Sequence, residues 1–151
     1  MGWHDATIWA IAFLQPEPTK TLDSGGELML DIDYIVQWVD PVPSSEYFTF
    51  AVAPATHVFH DVWDVEAGFA AGLQEADAVT IDSLERGEPE NDAQRAQHVR
   101  PWIMNGSVFG SLVASGFHQY FRSKPIDAGH RQRLTFEQRG GISFARPTSF
   151  A

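Results

Sequence analysis

The stretch Leu28-Met29-Leu30-Asp31-Ile32-Asp33-Tyr34-Ile35-Val36-Gln37-Trp38 decides the fold class. Every even position is apolar or aromatic, while Asp31, Asp33 and Gln37 stand among the odd ones. A period of two is the pleat of a β-strand with one buried and one wet face. After Pro41-Val42-Pro43-Ser44-Ser45 the alternation resumes, with Phe48, Phe50 and Val52 on one side and Tyr47 and Thr49 on the other. Proline cannot continue a ladder, so the break predicts a hairpin connection. Pro54 predicts a bulge or strand end before Thr56 to Phe59.

Upstream, Ala6 to Leu14 sets Trp9, Ile11 and Phe13 against Ala6, Ala10 and Ala12, a strand covered on both sides. Downstream, Val79, Ile81 and Leu84 mark a shorter strand. Trp102-Ile103-Met104 and Val108-Phe109 flank Asn105-Gly106, a strong hairpin signal. Gly110 and Gly116 predict bends within Val108 to Phe121. Leu134-Thr135-Phe136 and Ile142-Ser143-Phe144 read as closing strands around Gly140-Gly141. Helix signals are few: Gly68 and Gly72 weaken Val65 to Leu73, and Asp92 to His98 has room for a turn or two. The expectation is an all-β chain, a single-domain antiparallel barrel or sandwich of about eight to ten strands with little helix. That domain spans residues 1–151, with a polar loop near 85–97.

Composition narrows the function classes. The 151 residues are 44% hydrophobic and 20% charged, which excludes disorder, collagen and coiled coil. Ten Lys and Arg against twenty Asp and Glu give a net charge of -10. That sign disfavours a nucleic-acid backbone and suits a basic protein or a cation. No run approaches the ~20 apolar residues of a membrane span. Met1-Gly2-Trp3-His4-Asp5 has no secretion-signal pattern, so the expected compartment is the cytoplasm. With no cysteine, disulfides and thiolate metal sites are excluded. No motif calls for a cofactor: the nucleophile elbow, phosphate loop and dinucleotide fingerprint are all missing.

Several residue groups are able to carry chemistry. His57 and His60 with Asp61 are candidate metal ligands for a hydrolase, with His4 or His118 as further ligands. Residues three apart on a flat strand face opposite ways, so the alternative is two surface histidines at a strand end. Asp31 and Asp33 share one face, suited to acid–base chemistry or simply to a solvated surface. The row Arg131, Arg133, Thr135, Glu137 and Arg139 reads as a polar outer face with ion pairs to Asp31 and Asp33. Trp3 and Trp63, with polar neighbours, are candidate sugar-stacking platforms. Trp38, Phe48, Phe50 and Phe117 are the candidate lining of a small-ligand pocket.

Trp3-His4-Asp5-Ala6, Leu28 to Ile35 with Trp38 and Pro41, Ala53-Pro54-Ala55-Thr56, and Arg139-Gly140-Gly141-Ile142-Ser143-Phe144 resemble a family of small uncharacterised bacterial all-β proteins. The Trp-His-Asp opening is also similar to immunity-protein families of bacterial toxin systems, whereas His4-Asp5 matches only half of an HD phosphohydrolase motif. The resemblance implies a β fold and assigns no catalytic residue. Charge and resemblance together suggest a cytoplasmic, immunity-like or inhibitor protein that binds a basic partner through Asp31, Asp33, Asp61 and Asp64. A ligand-binding β-barrel and a metal-dependent hydrolase are the alternatives. An exposed strand edge at Tyr47 to Ala53 would support a homodimer.

Overall fold

The computed structural model describes residues 4–18, 25–44, 46–69 and 78–148. Trp3, and the part of the weak helix signal beyond Phe69, lie outside them. Nine antiparallel strands form one sheet: β1 (Ala6–Leu14), β2 (Gly26–Val39), β3 (Thr49–Val62), β4 (Val65–Phe69), β5 (Thr80–Arg86), β6 (Arg100–Gly106), β7 (Val108–Ala114), β8 (Gly116–Phe121) and β9 (Ile126–Asp127). Two short helices, α1 (Asp92–Ala96) and α2 (Phe136–Arg139), complete the elements. The order is β4-β7-β6-β5-β1-β2-β3-β8, with β9 beside β3.

The chain is thus all-β and a single domain, as expected, with nine strands in one antiparallel sheet that is not closed into a barrel. Its two halves curl toward each other because the even face of β2 is apolar. Leu28, Leu30 and Ile32 pack with Phe59 of β3 against Trp102, Met104 and Leu112 of β6 and β7. Backbone bonds clip the far end of β3 to β7: Trp63 N donates to Val113 O (3.0 Å) and Ser115 N to His60 O (2.9 Å). The two end strands, β4 and β8, do not pair with each other.

Bulges reassign faces that simple alternation misplaces. The register of β1 against β2 shifts between Ile8 and Ala10, which leaves Trp9 as the extra residue. Ile11 and Phe13 stand opposite Leu30 and Leu28 on the inner face, whereas Trp9 reaches Asp33 on the outer one. A second shift in β2, between Ile35 and Gln37, sends Trp38 to the Phe50 side.

Pro54 neither ends nor bulges β3; it stands in register opposite Asp33. Its carbonyl accepts from Arg122 N (2.9 Å), so its nitrogen points the same way, into the gap between β8 and β9, where it interrupts no strand ladder. The Tyr47 to Ala53 segment is not an open edge either, since Ala51 and Val52 pair with Asp127 and Ile126 of β9.

Residues 122–148 cross the outer face of β2 and β3. Ile35, Phe50, Val52 and Leu134 form a second, smaller core beneath them. Neither closing strand expected at 134–136 and 142–144 forms: α2 begins within the first, and 142–144 is irregular. Thr135 and Gln138 form a capping box, and Gly140 closes the helix in the left-handed conformation at φ 74°. Polar residues 85–97 divide between the end of β5 and α1, capped by Asn91.

Candidate functional site

Asp31 and Asp33 are fully buried (0% exposed), which corrects their reading as a solvated contact face. The 122–148 segment covers them and supplies the counter-charges. Asp31 accepts from Arg122 Nη1 (2.7 Å), Arg139 Nη2 (2.6 Å), Arg139 Nη1 (2.9 Å) and Ser143 N (3.0 Å). Asp33 accepts from Trp9 Nε1 and Leu134 N (both 2.8 Å) and from Arg139 Nε (3.2 Å). Arg139 also lies over the Trp9 ring, 4.7 Å from its centroid. Burial disfavours the guanidinium charge, but the bonds to Asp31 and the charge of Asp33 outweigh it and hold Arg139 above its ordinary pKa. Of the predicted basic row only Arg139 makes these pairs; Arg131, Arg133 and Glu137 are exposed. With every acceptor shielded, Asp31 and Asp33 hold the fold together and are not available to a partner.

Asp61 and Asp64 are exposed at the β3–β4 corner. Asp61 takes a left-handed φ of 51° and accepts from Ser115 Oγ at 2.7 Å. The four aspartates therefore do not form one surface.

The candidate metal ligands part company as well. His57 faces the inner core between Phe117 and Phe59, with ring centroids at 4.3 and 4.7 Å. Burial lowers its pKa to about 3, so it is neutral. His60 lies on the outer face, where Nδ1 meets Glu27 Oε1 (3.1 Å) and Nε2 meets His118 Nδ1 (2.9 Å). Arg146 binds Glu27, which lowers the Glu27 pKa chiefly through that bond and keeps the carboxylate charged. Both ring nitrogens of His60 are thus taken, one by Glu27 and the other by His118, leaving neither for a metal. Among the described residues no three His, Asp or Glu side chains converge to hold an ion.

The expected aromatic lining is also dispersed. Trp38 stacks edge-on against Phe48 and Phe50 (5.9 and 5.1 Å), while Phe117 is packed between Trp102 and His57. Empty space lies elsewhere, inside the curl. A cavity of about 450 Å³ is walled by Ile11 and Phe13 of β1, Leu28 and Leu30 of β2, Val65 and Ala67 of β4, Met104 of β6 and Val108 of β7. It opens where β4, following the end of β3, runs along β7. None of the eight side chains is a nucleophile, acid or base.

Alternation missed this lining because the bulge at Trp9 and the path of β4 decide it. The even residues of β2, Leu28 and Leu30, were the legible part. For Arg122, Arg139 and Arg146 the signal was present: a locally basic C-terminal third in an acidic chain, opposite carboxylates in a strand. Comparison with protein-family models, curated proteins and solved structures found no match, so the site stands on its own geometry.

Proposed function

We propose that the protein binds a small apolar ligand inside the curl of its sheet. The observation that carries this reading is the cavity of about 450 Å³ with eight apolar walls. Ligand sites typically measure roughly 300–1,000 Å³ and are lined mostly by apolar side chains. The lining sits on strands, so the site is preformed and little ordering entropy opposes binding. A neutral fluorescent probe such as N-phenyl-1-naphthylamine should bind the purified chain saturably, with enhanced emission. Val65→Trp, which places an indole in the cavity, should abolish that binding while the protein still melts cooperatively. Undiminished binding in this variant would remove the proposal.

A basic protein partner is the second reading, and exposed Asp61 and Asp64 beside Trp63 support it. Three basic side chains, Arg122, Arg139 and Arg146, are spent on Asp31, Asp33 and Glu27, so the other side chains still carry the whole net charge of -10. This is the form in which an immunity-like, cytoplasmic role would act. Charge reversal at Asp61 and Asp64 should weaken such a complex and flatten its salt dependence. An unchanged salt slope would count against the reading.

A further inference from the structure

β9 occupies the edge of β3 at Ala51 and Val52, and farther along that same edge lies β8. β8 pairs with β3 from Ala55 opposite Phe121 to His60 opposite Gly116. It stands last in the strand order, and among the described residues no strand pairs with its other side. None of its residues is buried. Ladder geometry decides which backbone groups are left over. Arg122 N donates to Pro54 O (2.9 Å), one step beyond the pair of Ala55 with Phe121. In an antiparallel ladder every second residue exchanges bonds with the opposite strand, and the residues between turn away. His118 and Tyr120 therefore bond to β3, whereas the N–H and C=O of Gln119 and Phe121 point outward. A strand edge left open in this way is a template for another chain.

Natural edges are blunted by charge, proline or a bulge. Gly116-Phe117-His118-Gln119-Tyr120-Phe121 contains no Asp, Glu, Lys, Arg or Pro, and its register with β3 runs without a shift. β4, at the opposite end of the order, carries Glu66. Two copies of a chain with net charge -10 repel each other, so contact between them is least opposed along a strand free of acidic residues. The spacing of the open groups also suits a copy of the same strand. Gln119 and Phe121 are two positions apart, so a second β8 laid antiparallel about Tyr120 sets each of them opposite the other. Gln119 then faces Phe121 of the partner subunit, Phe121 faces Gln119 of the partner subunit, and each pair exchanges two N–H···O bonds. Tyr120 lies on the outer face with His118, where it meets Tyr120 of the partner subunit as an aromatic cross-strand pair.

We propose that the open edge of β8 pairs with β8 of a second copy, giving a two-fold dimer whose sheet runs on from one subunit into the other. The contact is isologous, so each copy spends its β8 edge once and association through it stops at two.

Sedimentation velocity and residue-resolved amide exchange on the full chain test it. A single strand edge buries little area, so the dimer belongs to the weak range and the protein is followed from about 10 µM to about 1 mM. The sedimenting mass should rise from one chain to two. Over the same range the amides of Gln119 and Phe121 should gain protection, while those of His118 and Tyr120, already bonded to β3, should be protected throughout. Gln119→Pro removes a donor that β3 does not use and should raise the dimer dissociation constant roughly tenfold. The Gln119 side chain also bonds to His57, so a second variant leaves it in place. Tyr120→Glu sets two carboxylates opposite each other at the axis and should raise the constant about fivefold, whereas Tyr120→Phe should match the parent. A chain that stays monomeric over the whole range would overturn the assignment. A dimer in which Gln119 and Phe121 exchange as freely as in dilute solution, or one that Tyr120→Glu leaves intact, would put the contact on another surface and overturn it equally.

Discussion

At Arg139 three carboxylate oxygens converge: both of Asp31 and one of Asp33, all inside a region closed to solvent. Taking these charges out of water is costly, and mutual pairing repays the cost only while every partner remains. Arg139→Met should therefore destabilise the chain by about 3–5 kcal/mol, read as a lower urea midpoint. A loss within experimental error would show that the network is dispensable. His57 makes a prediction of its own. Buried and neutral in the folded chain, it has a pKa near 3 instead of the ordinary 6.5. The unfolded chain gains a proton below about 6.5 that the folded chain refuses, so stability is full above that pH and falls toward 3. Each pH unit within the window costs about 1.4 kcal/mol. Glu27, also lowered, adds a loss of the same sign below its ordinary 4.5. In His57→Phe the urea midpoint should depend less on pH across this window; an unaltered slope would deny His57 the role.

Among the elements, β4 relies on a glycine in the strand beside it. Gly110 has φ +148°, and a Cβ there would lie 2.0 Å from the Glu66 carbonyl oxygen, a distance no contact tolerates. Gly110→Ala should push β4 off β7 and open one wall of the cavity. Amide exchange across Val65–Phe69 should quicken while β2 and β3 keep their protection, and probe binding should weaken. Uniform exchange in variant and parent would mean that β4 does not depend on this close approach. At α2 the legible signal was the capping box, Thr135 and Gln138 followed by Gly140. Leu134-Thr135-Phe136 suggested a strand by residue type alone, but local cap bonds prevailed because no neighbouring strand offers this segment a ladder. The short helix turns Arg139 down onto β2, where an extended strand would have shared its bonds with a sheet edge.

For the molecule as a whole, the opposing charges that matter to stability are inside and the excess is carried by the other side chains. Screening reaches exposed charge but hardly touches pairs as buried as Arg139 with Asp31. Raising salt from low to physiological ionic strength should therefore raise the Tm, by relieving repulsion within a chain of net charge -10. A falling Tm would mean that exposed ion pairs contribute more than the self-repulsion removes. No helix of the described residues is long and apolar enough to cross a membrane, which is as far as the fold speaks to location.

What the sequence determined by itself was the β class, the hairpins at Pro41–Ser45 and Asn105–Gly106, and the inner face of β2, because period two and turn chemistry are local properties. The opposite faces of His57 and His60 followed from the same pleat. The fate of Asp31 and Asp33 was decided elsewhere. Whether an alternating strand's polar face is wet depends on what crosses it, and here residues about ninety to one hundred and ten positions later bring Arg122 and Arg139. The cavity likewise came from the curl of the sheet and the path of β4 along β7, both set by pairings distant in sequence. Period and composition describe what each strand prefers; only the tertiary structure chooses which preferences meet, because burial is a property of pairs of elements and not of one.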